Sequence, residues 1–489
     1  MPVNLSDQPN VLLICTDHWS DLFTRASGHP VVMTPTLDQL TRSGTRFTQA
    51  YSVCPSCIPA RKSLMTGMRA RTHGDRVYRD GVPMPEVPTL AQCFRDAGYQ
   101  AYAVGKLHVW PQRDRIGFDE VILEEQGRHQ HRDIPEGVAD DWELYLMEQG
   151  YTGQEYATGM CHNDWLARTW HLPEKCHAIN WAAREMCKAI RRRDPRKPGF
   201  WYLSFSAPHP PLTPLQAYMD LYRDVEIDRP VVGDWARNFD DLPYYMKVRT
   251  YPSALHGAPP TEVELARRAY YATLTHIDHQ IRTVIGTLRE AGLLDNTIIV
   301  FTADHGHMAG EHGLWCMTPF YEASAKIPLI IVPPRGEKRL GVCAEDDRFA
   351  EFGDLMPTLL DLAGFPIPDH VDQLSLLGSK RRDYLYGEHG ENHAAQRMIR
   401  RGRFKLIYYP IGDYTQLFDV ANDPRETHDL SDDPSYSEEL VSLKELLKEH
   451  LWGSDLEWVK DGELVGLPDR AFKPGPIQQL QGQRGIRFY

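Results

Sequence analysis

The chain has no disulfide framework. Its nine cysteines, at positions 15, 54, 57, 93, 161, 176, 187, 316 and 343, are odd in number and scattered, whereas a stapled secreted domain carries an even, closely spaced set. A reducing compartment is the simpler reading. Nor is there a surplus of positive charge. The 54 Lys and Arg against 67 Asp and Glu give a net charge of −13, which argues against a nucleic-acid face, although a locally positive pocket for an anion is still allowed. No apolar run approaches the roughly 20 residues that span a bilayer. The opening MPVNLSDQPNVLLICTD has no basic segment, and its apolar run at 11–15 is too short for a signal peptide. There are no internal repeats. These absences predict a soluble, cytoplasmic protein with neither nucleic acid nor membrane as partner.

What is present is ordinary globular material. The 489 residues, 42% apolar and 25% charged, suffice for one large α/β domain and a smaller one. Short apolar runs at 11–16, 100–104, 200–206, 297–302 and 329–332 read as buried strands. The first four run straight into polar groups: Asp17-His18, Gly105-Lys106-Leu107-His108, Ala207-Pro208-His209-Pro210-Pro211 and Ala303-Asp304-His305-Gly306. In open α/β sheets, ligands bind at that end of the strands. Two acidic strand ends converging on one edge can build an oxygen and nitrogen site for a divalent cation.

Helices are expected at 36–43, 87–97, 262–292 and 354–364. The third carries an apolar stripe of Leu265, Tyr270, Leu274, Ile277, Ile281, Ile285 and Leu288. Residues 116–172, rich in His, Gln, Asp, Tyr and Gly, read as loops over the site, where specificity usually resides. The pairs Cys161-His162 and Cys176-His177 fit no zinc spacing. From about residue 375 the pattern changes to antiparallel strands at 384–387, 396–409 and 416–420, a helix at 438–450 and an irregular tail. The expected division is a catalytic α/β domain over 1–375 and a C-terminal α/β subdomain with tail over 376–489.

The stretch 51–74, YSVCPSCIPARKSLMTGMRARTHG, is the chemical centre. A thiol at Cys57, Pro59 two on and Arg61 four on precede a helix. Unpaired backbone N–H groups at its start favour an anion, with Arg61 one turn further on the same face. From these residues alone three other readings stay open: an ordinary buried cysteine, a thiol redox pair with Cys54, or half of a zinc site.

The pattern C-x-P-x-R followed by Thr66-Gly67 resembles the signature of type I sulfatases, in the alkaline-phosphatase-like superfamily, in which the cysteine is oxidised to formylglycine. Only Cys57 has Pro at +2 and Arg at +4; Ala60 stands where Ser is common. The resemblance spans roughly residues 10–430. It implies a large mixed sheet flanked by helices, with a smaller C-terminal antiparallel sheet. Gly105-Lys106-Leu107-His108 is similar to the family's G-K-x-H, and His209 to its histidine that reaches the ester oxygen. Asp17 matches the first metal-binding acid; His18 stands where a second Asp is usual. Asp304-His305 match the second metal pair. Met317 replaces a sulfate-binding Lys, and Lys326 stands where Arg is usual.

The chemistry so implied is hydrolysis of a sulfate ester. A hydrated aldehyde on residue 57 offers one hydroxyl to attack sulfur and a second whose deprotonation expels sulfate. Arg61, Lys106 and one divalent cation offset charge, His209 assists the leaving oxygen, and His108 is the base on the second hydroxyl. Asp17, His18, residue 57, Asp304 and His305 are the implied metal set, with Ca2+ the first expectation and Mn2+ the alternative. Lys106, His209 and Lys326 are the implied substrate contacts, and a formylglycine-generating maturation enzyme is an implied partner. Two other readings are a phosphonate monoester or phosphodiester hydrolase using the same machinery, and a non-catalytic binder of sulfated ligands.

Overall fold

The computed structural model describes residues 8–125, 139–160, 165–250, 258–315 and 317–473. An eight-stranded mixed sheet forms its centre, built from β1 (Asn10–Thr16), β2 (Thr45–Tyr51), β3 (Gln100–Gly105), β4 (Glu120–Leu123), β5 (Gly199–Phe205), β6 (Thr297–Ala303), β7 (Leu329–Val332) and β8 (Ala344–Glu351). The spatial order is β4-β3-β5-β1-β6-β7-β2-β8. β1 lies between β5 and β6, parallel to both, and all seven of its residues are buried. A strand covered on both faces must be apolar throughout, which is why 11–15 reads as a continuous hydrophobic run rather than an alternating one.

The topology gathers one end of the sheet. β3, β5, β1 and β6 are mutually parallel, so their C-terminal ends open on one edge. β7 runs antiparallel to β6, and β2 antiparallel to β7, so β2 also points to that edge and delivers the Cys57 segment there. One set of packed helices comprises Pro35–Ser43, Ala178–Arg191 and Pro260–Glu290; a second comprises Cys57–Thr66, Leu90–Asp96 and Leu355–Leu362.

A separate four-stranded antiparallel sheet holds β9 (Tyr384–His389), β10 (Gln396–Arg401), β11 (Phe404–Tyr409) and β12 (Tyr414–Asp419). Its side chains alternate with period two. Met398, Ile407 and Phe418 join Tyr51, Met308 and Phe320 in one buried cluster. Ile399, Leu406 and Leu417 join Leu443 and Leu447 of the helix Ser437–His450 in another. The small sheet thus packs one face on the large domain and the other on its own helix.

Several details differ from the sequence reading. Leu265, expected on the apolar stripe of the long helix, is 46% exposed, because the helix buries only from Ala266 onward. The second expected helix begins at Leu90, capped by the Thr89 hydroxyl, not at residue 87. The 116–172 segment is not loop throughout: it holds β4 and a helix at Asp141–Glu148 that opens with an Asp140–Glu143 capping box. Its residues 126–138 and 161–164 lie outside the described residues, as does the tail from 474. The helix Ala178–Arg191 and the edge strand β8, charged because one side meets solvent, were not anticipated.

Candidate active site

Most of the candidate side chains are set in place by an element end. The helix Cys57–Thr66 starts from an extended Ser56 and closes at Gly67, whose φ of 65° and N–H to the Ser63 carbonyl end it. Pro59 falls in the first turn, where its missing N–H costs nothing. All ten residues are buried, so the helix runs through the interior and holds Cys57 rigidly. At the end of β3, Gly105 has φ 97°, and a Cβ there would lie 1.8 Å from the Ser204 carbonyl oxygen. Only glycine permits this approach, which lets Lys106 N–H donate to that same oxygen and turns its side chain inward.

At the centre, Cys57 Sγ lies 3.3 Å from His305 Nε2 and 3.6 Å from Asp17 Oδ1. The Lys106 ammonium donates to the second oxygen of Asp17. Arg61 is 1% exposed. It donates from Nε to Asp304 Oδ2 at 2.9 Å, and from Nη1 to the Lys106 carbonyl at 2.9 Å, the Tyr202 hydroxyl at 3.0 Å and the Ser204 hydroxyl at 2.8 Å. His305 is oriented by its own ring: Nδ1 lies 3.0 Å from the Gly306 carbonyl, an acceptor, so Nδ1 carries the proton and Nε2 presents a lone pair to the cluster.

The electrostatics follow from burial and charge pairing. Burial pushes the Asp17 carboxyl up, but Lys106 and the imidazoles of His18, His209 and His305 outweigh it and hold it well below the usual range. Asp304 moves the other way, raised by burial and by facing Asp17, as expected of two carboxylates sharing one site. Burial, then Asp17, raise the Cys57 thiol well above its ordinary value, with Lys106 opposing. Unmodified, residue 57 is therefore a neutral thiol, unlike the depressed thiols of redox pairs. Burial lowers His209 to about 4, with Asp17 opposing. Its Nδ1 meets the Pro210 carbonyl at 2.5 Å, so in the neutral ring Nε2 is the acceptor.

Not every expected residue joins the cluster in the same way. Asp17, His18, Cys57 and His305 each offer a ligand atom within 4.8 Å of the others. Asp304 stands beside them, its Oδ1 3.7 Å from His305 Nε2, but it also holds Arg61 and the His305 backbone N–H. His108 is buried at the end of β3, its N–H bonded to Glu125 and its Nε2 3.3 Å from the Tyr78 hydroxyl. Lys326 does not meet the cluster in any described contact. Its ammonium sits 3.9 Å from both Asp21 and Glu322, which identifies it as an ion-pair partner at the seam with the small sheet. Met317 is half-buried.

Sequence reasoning missed three contributors. Tyr202 and Ser204 anchor Arg61, and lie on β5 at the register of Leu13 and Cys15; nothing in a buried strand's pattern marks them. His307 packs on His18, with ring centroids 5.2 Å apart, and on Trp315 at 4.9 Å. The run Asp304-His305-Gly306-His307 could have signalled it. Trp315 is itself fully buried behind His307.

The buried donor set suits a divalent cation: one carboxylate, two imidazoles and residue 57 converge, and both ring nitrogens of His18 lack a hydrogen-bond partner among the described residues. An enclosed, mixed oxygen and nitrogen set of this kind is what such ions need.

Comparison with known proteins agrees with this geometry. The Sulfatase family model matches residues 9–365, and the model for the C-terminal region of N-sulphoglucosamine sulphohydrolase matches 310–452. An arylsulfatase of Clostridium perfringens is 34% identical over 482 residues, covering 95% of this chain and 99% of the relative. A choline-sulfatase of Rhizobium meliloti is 29% identical, covering 87% and 83%. The crystal structure of a phosphonate monoester hydrolase of Agrobacterium radiobacter shares the fold, with a TM-score of 0.75 at 23% identity, covering 90% of this chain and 95% of that one. With a family model matching most of its length and an arylsulfatase aligned almost end to end, the chain belongs to the sulfatase family, sulfuric ester hydrolases of the alkaline-phosphatase-like superfamily.

Proposed function

We propose that the protein hydrolyses sulfate esters through a formylglycine made from Cys57 by a maturation enzyme, with one divalent cation held by Asp17, His18, Asp304, His305 and residue 57. The observation that carries the reading is the placement of Cys57 Sγ, the position the aldehyde carbon's oxygens would take, 3.3 Å from His305 Nε2 and 3.6 Å from Asp17. A hydrated aldehyde supplies two hydroxyls on one carbon, one to attack sulfur and one whose deprotonation expels sulfate. The cation, when bound, lowers the pKa of an oxygen it touches.

The chain's own residues do the rest. Lys106 neutralises Asp17 and is the cation available to a non-bridging sulfate oxygen. Arg61 is spent mostly on the protein: four hydrogen bonds to Asp304, Lys106, Tyr202 and Ser204 hold the nucleophile helix against β6, β3 and β5. Its Nη2 has no partner among the described residues and is the donor left for substrate. His209 takes a proton at Nε2 and hands it to the leaving oxygen. That requires an anionic ester beside it, because burial, with Lys106 and His305 adding to it, keeps the ring neutral. His108, positioned by Glu125 and Tyr78, is the base for the second hydroxyl.

A second reading, phosphonate monoester or phosphodiester hydrolysis, is favoured by one feature: His305 rather than Asn follows Asp304, and its Nε2 faces the nucleophile. The cytoplasmic placement belongs to the proposal too, supported by seven described cysteines that are all free thiols.

Two measurements test the proposal. Mass spectrometry of the peptide holding residue 57, from active enzyme, should show conversion of the thiol to aldehyde; a wholly unmodified thiol in active enzyme refutes the formylglycine step. Turnover of an aryl sulfate should exceed that of a phosphonate monoester and a phosphodiester; the reverse order selects the second reading.

A further inference from the structure

His18 occupies the place where the family pattern has a second acid, and its setting is unusual in three independent ways. Its backbone is left-handed, at φ 71°, a conformation uncommon for residues other than glycine and retained where the surroundings over-determine it. The constraint is visible: the His18 carbonyl accepts a hydrogen bond of 2.6 Å from the hydroxyl of Tyr270, itself fully buried on the long helix Pro260–Glu290. The ring is then completely enclosed, at 0% exposure, with neither nitrogen hydrogen-bonded among the described residues. Buried imidazoles ordinarily satisfy both nitrogens or use one as a metal ligand. Finally, the ring faces the cluster: Nε2 lies 3.5 Å from Asp17 Oδ1, and the His305 ring centroid is 4.6 Å away.

The oxygen donors are correspondingly few. Each oxygen of the Asp304 carboxylate already accepts a hydrogen bond, Oδ2 from Arg61 and Oδ1 from the His305 N–H, so each keeps less electron density for a cation. Of Asp17, one oxygen is taken by Lys106. Calcium takes six to eight oxygen ligands, whereas first-row transition ions accept imidazole readily. Resting on the reading that the site holds a divalent cation with His18 and His305 among its ligands, we propose that this imidazole pair makes the centre selective for a first-row transition ion over calcium. The Tyr270 hydroxyl acts through His18, as the positioning residue that fixes its strained backbone.

The test uses full-length protein stripped of metal and then titrated separately with Mn2+ and Ca2+. Wild type should bind Mn2+ at least about 10-fold more tightly than Ca2+, and His18→Asp should shift that ratio toward Ca2+ by about 10-fold or more, the scale on which a metal's immediate surroundings act. Pulsed electron paramagnetic resonance of the Mn2+ form should show couplings to two imidazole nitrogens in wild type and to one in His18→Asp. Tyr270→Phe should weaken Mn2+ binding while retaining both couplings. Equal affinity for the two ions, or a single nitrogen coupling in wild type, overturns the proposal, and neither result depends on any variant folding. A protein that binds neither ion overturns the divalent-cation reading itself, and this inference with it.

Discussion

Asp17 and Asp304 leave adjacent parallel strands at the same level: Thr16 pairs with Ala303, and the Asp304 N–H donates to the Thr16 carbonyl at 3.1 Å. Two carboxylates at neighbouring strand ends repel unless something positive stands between or behind them. Behind Asp17 stands Lys106, and behind Asp304 stands Arg61. The site is thus a pair of carboxylate–cation couples facing a thiol.

Arg61→Ala strips the partner from a carboxylate that is itself fully buried. Breaking such a pair costs about 3–5 kcal/mol, so the variant should unfold at markedly lower urea and lose turnover. Arg61→Lys keeps the charge but cannot reach Asp304, Tyr202, Ser204 and the Lys106 carbonyl together; its stability should fall between wild type and Ala. Equal urea midpoints for all three proteins would show that the guanidinium network does not hold the helix.

Cys57→Ala should abolish turnover, by at least about 10³-fold, with an unchanged melting temperature, because its role is chemical. Cys54→Ala should keep most activity: the Cys54 thiol is buried and pushed well up, first by burial and then by Glu388 and Asp75, which makes it a poor nucleophile. Equal damage from the two substitutions, measured with an aryl sulfate, would return weight to a C-x-x-C chemistry.

The residues that the fold gathers at the candidate site could be singled out because they follow apolar runs directly in the chain and resemble family motifs there. Asp17, Lys106, His209 and Asp304-His305 each lie one to four residues beyond a buried strand, and parallel pairing brings those ends together. Lys326 shows the limit. It stands where the family pattern has Arg and is implied as a substrate contact, yet its described partners, Asp21 and Glu322, form a salt-bridge pattern that only the tertiary fold creates. Tyr202 and Ser204 were illegible for a related reason: on a strand buried on both faces, inward polar residues have no periodic signature. β8 was missed because an edge strand carrying AEDDRFAE looks like loop.

The placement of Lys326 sharpens a prediction about substrate charge. Since two carboxylates already share its ammonium, Lys326→Ala should reduce sulfate ester turnover far less than Lys106→Ala. By the family resemblance Met317 stands where a sulfate-binding lysine is usual, so the site is expected to hold one cation fewer, which matters most for a phosphate monoester near −2. A contact to a charged oxygen is worth about 1.5–3 kcal/mol, so Met317→Lys should improve a phosphate monoester relative to a sulfate ester by roughly 10-fold or more. If Lys326→Ala is as damaging as Lys106→Ala, and Met317→Lys restores the loss, Lys326 has substituted for the missing lysine and the charge argument fails.

The seam between the two sheets should carry a pH dependence of stability separate from catalysis. Lys405 is fully buried between two carboxylates, 2.7 Å from Glu322 and 2.5 Å from Glu426. Arg400, Lys326 and the Tyr51 hydroxyl also face Glu322. Against its burial, Lys405, Lys326 and Arg400 hold Glu322 at about 2, whereas burial, with Glu322 adding to it, pushes Glu426 up to about 7 despite Lys405. Both start from 4.5 in the unfolded chain. The Glu322 contribution is therefore present above pH 4.5 and lost as pH falls toward 2. The Glu426 shift acts oppositely: the folded protein keeps a proton that the unfolded chain has released, so stability declines as pH rises from 4.5 to about 7 and then levels. The decline should be on the order of 3 kcal/mol. Glu426→Gln, a neutral isostere, should match wild type near pH 5 and melt higher at pH 8. Glu322→Gln should also flatten the decline, because Glu426 would then have Lys405 to itself and ionise normally. Thermal melts of the three proteins between pH 5 and 8 decide it: a decline of the same size in Glu426→Gln as in wild type would mean that Glu426 is not its source.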